Sequence, residues 1–142
     1  MFRRKKIAIE NNDRLFHEAI IAGNLEKVAS LLESYPHLVN QTNTKGDTAL
    51  SIAVKGGQNG ITDLLLKNGG NATHKDTDGT TLLMIACQQD NPVLVRMLLA
   101  SPTVSATNIN KRGKTAFSLA LKNGNSYILQ ALEKKQTPAE KN

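Results

Sequence analysis

Gly46-Asp47-Thr48-Ala49-Leu50 recurs as Gly79-Thr80-Thr81-Leu82-Leu83 and again as Gly113-Lys114-Thr115-Ala116-Phe117. The three threonines stand 33 and 34 residues apart. Five residues behind each comes an alanine, at Ala53, Ala86 and Ala120. Nine residues behind each stand Gly57, Asp90 and Gly124, where a helix is expected to end. A second apolar stretch follows, containing Leu64-Leu65-Leu66, Met97-Leu98-Leu99, and Ile128-Leu129 with Leu132. Upstream, Ala19, Gly23-Asn24-Leu25-Glu26, Val28 and Leu31-Leu32 keep the same order without the Gly-x-Thr opening. A period near 33 with two short helical segments per unit predicts an all-α solenoid of four helix-turn-helix units.

Each recurring residue type has a physical reason. Glycine at 46, 79 and 113 supplies a turn conformation that side chains resist. The hydroxyls of Thr48, Thr81 and Thr115 are placed to accept from an orphan amide in the first turn of a helix. Small residues at 53, 86 and 120 let neighbouring units approach closely. Gly57 and Gly124 can close the first helix in the left-handed conformation, and Asp90 does so less easily. Asn91-Pro92 reads as N-cap and first position of the second helix in its unit. Asn68-Gly69-Gly70-Asn71 and Ser101-Pro102-Thr103 read as connecting loops.

These units resemble the ankyrin repeat, with hairpin-like loops between its helix pairs. The match runs from Asn43 through Gly69, from Asp76 through Leu99, and from Asn110 to about Leu132, while the stretch ending at Val28 resembles a first repeat. The expected organisation is a flexible basic arm at 1–12, repeats at about 13–43, 44–76, 77–109 and 110–135, and a disordered tail at 136–142. The chain departs from the family pattern after each threonine. Pro is replaced by Ala49, Leu82 and Ala116, and His by Ser51, Met84 and Ser118. The departures imply a less stable array. Gly56, Gly57 and Gly60 point the same way, an interior helical Gly costing about 1 kcal/mol relative to Ala.

The 142 residues are most simply one domain, long enough to bury a core, and 39% are hydrophobic. No apolar run approaches the roughly 18 residues of a membrane span. The basic start Arg3-Arg4-Lys5-Lys6 is followed only by Ile7-Ala8-Ile9, short of the roughly 7–15 apolar residues of a signal peptide. A cytoplasmic location is therefore expected, and the single Cys87 fits a reducing compartment. The net charge of +6 is uneven. Residues 1–12 carry four basic residues and one acidic, 13–109 seven and nine, and 110–135 six and one. A slightly acidic body thus lies between two basic ends.

Nothing in the sequence assembles a catalytic centre, and no enzyme activity, cofactor or metal is expected. His17, His37 and His74 lie in different units without helical ligand spacing, and a structural role is expected for His17. Cys87 follows Ala86 on a small-residue face and reads as a packed thiol. Asp76-Thr77-Asp78-Gly79 has the start of a calcium loop but lacks the later ligands, and a repeat tip explains it better.

The resemblance implies recognition of another protein through a concave face built from loop tips and first helices. Carried over position by position, the contact residues are Thr44, Lys45, Asp47 and Lys55; Thr77, Asp78, Thr80, Gln88 and Gln89; and Lys111, Arg112, Lys114, Lys122 and Asn123. The expected partner is one protein, with an acidic patch facing the fourth repeat, bound to a monomer of this chain. Ile21 and Ala22 are apolar at positions where solvent is expected, either as a small contact patch or packed under the N-terminal arm. Two alternatives stand beside this reading. One is a binder of nucleic acid or anionic lipid using the basic arm and fourth repeat, disfavoured by the lack of interleaved aromatics. The other is a bacterial or viral effector delivered into a host cell.

Overall fold

The computed structural model describes residues 2–136. The helices run in chain order as α1 (Phe2–Ile21), α2 (Leu25–Ser34), α3 (Ala49–Lys55), α4 (Asn59–Lys67), α5 (Leu82–Gln88), α6 (Pro92–Leu99), α7 (Ala116–Leu121) and α8 (Ser126–Gln136), with a 3₁₀ turn at Pro36–Asn40 after α2. Among the described residues the only β pairing is two isolated antiparallel bridges, Thr42 with Thr48 and Lys75 with Thr81. These flank two of the loop tips and give them their hairpin character. No helix among the described residues is long and apolar enough to cross a membrane.

The helices form by the local chemistry the sequence advertises. Thr48, Thr81 and Thr115 are N-caps, each hydroxyl accepting from the amide three residues on, at Ser51, Met84 and Ser118. Asn91 caps α6 by accepting from the Leu94 amide, with Pro92 in the first turn. Asn24 caps α2 in the same way through the Lys27 amide. The serines standing where the family has His strengthen two of these starts. Ser51 Oγ donates to the Thr48 carbonyl, and Ser118 Oγ both donates to the Thr115 carbonyl and accepts from the Thr115 amide.

The first helices end alike. After α1, α3 and α5 the chain turns left-handed at Gly23, Gly57 and Asp90, with φ of 73°, 66° and 54°. At each turn one amide reaches back three residues and the next reaches back five, as in Gly57 to Val54 and Gln58 to Ala53. Asp90 takes this conformation against its side-chain preference. Helix α4 closes with the same pair of bonds, from Gly69 to Leu66 and from Gly70 to Leu65. Here Gly70 has no room for a side chain, because a Cβ would stand 2.8 Å from the Leu65 carbonyl oxygen.

The chain divides into two compact units, with the boundary between Asn71 and Ala72. In the first unit α1 packs on α2 and α3, and α4 on α2 and α3. Phe16, Ile20, Val28, Leu32, Leu38, Leu50, Val54 and Leu65 fill its core. In the second unit α5 packs on α6 and α7, and α8 on α6 and α7, around Leu82, Leu83, Met84, Leu94, Leu98, Leu119, Ile128 and Leu132. Each such side chain contributes roughly 1.5–3 kcal/mol on burial. With so few aromatics, aliphatic packing carries both cores.

One expectation changes at the N-terminus. Residues 2–12, expected as a flexible arm, belong to α1, which runs without interruption to Ile21. Residues 2–12 contain no Gly or Pro, and most are good helix formers, so nothing stops the first helix from extending backwards. At the other end α8 reaches Gln136, and the remainder of the expected tail lies outside the described residues.

Two substitutions test the backbone reading. Asp90→Gly should raise the free energy of unfolding by about 0.5–1 kcal/mol, by removing left-handed strain. Gly70→Ala should lower it by about 1–3 kcal/mol, because the new methyl group meets a backbone oxygen that cannot move freely. Urea unfolding of the three chains checks both signs.

Candidate protein-interaction surface

Three loop tips share one construction. Asn43, Asp76 and Asn110 each use a single side-chain oxygen to accept from the amides two and four residues on. The distances are 2.9 and 3.0 Å at Asn43, 2.9 and 2.9 Å at Asp76, and 3.0 and 3.0 Å at Asn110. The backbone amide of the same residue donates to the carbonyl four residues on. The tip is thus locked from inside, and the residues between are displayed outward. This accounts for the acidic start of the third tip: Asp76 is a turn residue, with its Oδ1 occupied by the Asp78 and Thr80 amides.

Of the residues singled out from sequence, Thr44, Lys45, Lys55, Thr77, Gln88, Gln89, Lys111, Arg112, Lys114, Lys122 and Asn123 are exposed, and Asp47, Asp78 and Thr80 are half-buried. Several already have partners within their own unit. Lys55 Nζ lies 2.9 Å from Asp47 Oδ1, and Arg112 Nε lies 3.3 Å from Asp78 Oδ2. Thr80 Oγ1 donates weakly to Asp78 Oδ2 and accepts from Asn110 Nδ2. The Lys111 amide donates to the Asp78 carbonyl at 2.9 Å. The third and fourth tips are therefore tied together by backbone, amide and ion-pair contacts.

Asn123 has a similar duty. Its Nδ2 donates to the Cys87 carbonyl at 3.2 Å, a second donor for a group at the end of α5 that also accepts from the Asp90 amide. In the first unit Gln58 Nε2 does the same for the Ile20 carbonyl at the end of α1, at 2.8 Å. Sequence reasoning passed over Gln58 altogether. Its signal was an amide side chain directly after the glycine that closes a first helix, whereas Asn123 stands directly before Gly124.

Positive charge remains at Lys45, Lys111, Lys114 and Lys122. All four are exposed and have no ion-pair partner among the described residues. Three of them belong to the second unit, where Asp78 balances only Arg112. The first unit presents Ile21, 67% exposed at the end of α1. Of the two readings of Ile21, packing beneath the arm fails, because residues 2–12 continue the same helix axis away from it.

Cys87 and His17 both lie in packed surroundings. Cys87 is fully buried, and burial pushes its thiol up to about 12. His17 Nδ1 lies 2.8 Å from the Asp13 carbonyl, and the ring meets Phe16 edge-on at 5.8 Å between centroids. The Cys87 thiol should therefore resist a maleimide at pH 8 in the native chain and react promptly in denaturant. Labelling followed by mass spectrometry reads the difference.

Comparison with known proteins fits this architecture. A family model described as ankyrin repeats (3 copies) matches residues 15–107 and, overlapping, 58–142. Among curated proteins the chain is 28% identical to ankyrin repeat protein L271 of Acanthamoeba polyphaga mimivirus, over 75% of this chain and 16% of that protein. It is 26% identical to mouse Rabankyrin-5 over 66% of this chain and 8% of that protein. With mouse protein phosphatase 1 regulatory subunit 27 it shares 33% identity over 63% of this chain and 58% of that protein. The chain thus spans only a small part of the first two relatives and somewhat more than half of the third.

Proposed function

Because the chain belongs to the ankyrin-repeat family, we propose that it is a non-catalytic interaction module that binds a partner protein through its loop tips and first helices. Ankyrin repeats generally mediate protein–protein interaction, and one relative is by name a regulatory subunit. The observation that carries the reading is the division of labour at the tips. Asn43, Asp76 and Asn110 fix the loops from within, leaving exposed side chains on rigid supports. A preorganised surface loses little entropy on binding.

The charges then set the kind of partner. Asp47 with Lys55 and Asp78 with Arg112 neutralise each other locally, whereas Lys111, Lys114 and Lys122 do not. An acidic patch on the partner is the complement of these three lysines, and its effect falls on association rate and selectivity. An adaptor or inhibitor role in the cytoplasm is part of this proposal.

Replacing Lys111, Lys114 and Lys122 by Glu, with Arg112 kept to preserve its bond to Asp78, should weaken partner capture about tenfold or more and slow association. The melting temperature should barely move. Undiminished capture by the triple variant would remove the basic surface from the mechanism. Retention on heparin that falls steeply with salt, together with failure to bind any protein, would favour the polyanion alternative.

A further inference from the structure

The first unit holds a surface cavity of about 560 Å³ between α1 and the loop that follows the 3₁₀ turn, lined by Asp13, His17 and Ile21 on one side and Thr42 and Thr44 on the other. Two of its lining residues carry buried polar atoms with no hydrogen-bond partner, Asp13 Oδ1 and His17 Nε2. His17 is buried, the residue being only 7% exposed. Its tautomer follows from its neighbour. A backbone carbonyl can only accept, so His17 Nδ1 donates to the Asp13 carbonyl at 2.8 Å, and in the neutral ring Nε2 is left as an acceptor. Both orphan atoms therefore ask for the same thing, a donor.

We infer that this cavity receives an arginine side chain from the partner protein. Residues 13 and 17 are one helical turn apart, with Cβ atoms roughly 5–6 Å from each other. A guanidinium, with five donors in a rigid planar fork, serves two acceptors so spaced, whereas an ammonium is a compact point charge. The carboxylate of Asp13 supplies the opposite charge. Exposed Ile21 supplies apolar surface for the aliphatic stem, which gives this residue the contact role left open by its sequence position. Arg14 and Glu18 also line the cavity, and they are exposed side chains held to each other only at 3.6 Å. Ile21, Asp13 and His17 thus form a pocket of defined chemistry within the partner-binding face, and the assignment rests on that reading of the face.

The test uses the full chain, N-acetyl-arginine N-methylamide as probe, and its lysine and citrulline counterparts, followed by amide chemical shifts. The arginine probe should give saturable shifts centred on Asp13, His17, Ile21 and Thr42 to Thr44, with an affinity several-fold above that of either counterpart. Asp13→Asn should weaken it about tenfold, as loss of a charge-assisted bond does. Ile21→Ser, at an exposed site that leaves folding intact, should weaken it about threefold by removing the stem contact. Absence of saturable shifts at these residues, equal response to all three probes, or an affinity unchanged in both variants would each overturn the assignment. No partner protein enters this titration, so its failure leaves the lysine-based capture result standing, and failure of capture leaves the pocket standing.

Discussion

The hydroxyl of Thr48 accepting from the Ser51 amide, repeated at Thr81 and Thr115, is the contact on which the rest of the architecture depends. The helices it starts are seven, seven and six residues long. Helices so short are marginal in water whatever their composition. Their starts must be satisfied locally and their sides covered by neighbours. The caps do the first, fixing where each helix begins and therefore which face Ala53, Ala86 and Ala120 present. Close packing of α1 on α3 and of α5 on α7 does the second.

The ends of these helices place the opposite demand on the chain. Each leaves carbonyl groups without intrahelical partners, and the left-handed turns at Gly23, Gly57 and Asp90 satisfy only some of them. Gln58 and Asn123 add a second donor, from the next repeat, to the Ile20 and Cys87 carbonyls that the turn amides of Gly23 and Asp90 already serve. The serines at 51 and 118 show a similar economy. They occupy the family's histidine position and tighten their own helix start. The cross-repeat bonds are made elsewhere, by Asn110, the Lys111 amide and Arg112 in the second unit. A surface charge map drawn from composition alone therefore misjudges the tips, since Asp78 and Arg112 are partly spent on each other.

Much of this was legible because a repeat writes its rules several times. Thr48, Thr81 and Thr115 are recognisable as caps from their spacing, and Asp90 as an uncomfortable substitute for glycine from its alignment with Gly57 and Gly124. The continuity of α1 was not legible. The basic run before Asn11 has the composition of a solvated tail and of a good helix at once, and helix extension is decided by what lies next to it. The ion pairs of Asp47 and Asp78 were hidden for a different reason. Both depend on side chains that meet only after the loops have been closed, 8 and 34 residues away in the chain. The pocket at His17 was hidden too, since a histidine expected to be structural discloses nothing about which of its nitrogens is left over.

The bonds from Gln58 to Ile20 and from Asn123 to Cys87 have a consequence for how the molecule comes apart. Each adds one side-chain bond to a junction between one repeat and the next that is otherwise made by helix packing. Stability in such an array is a sum of each repeat's own folding free energy and the strength of its nearest-neighbour junctions. Removing one such bond weakens a junction without touching the core of either repeat. These two amides therefore add to the coupling that the packing of α1 on α3 and of α5 on α7 supplies, and so to the length over which unfolding is cooperative.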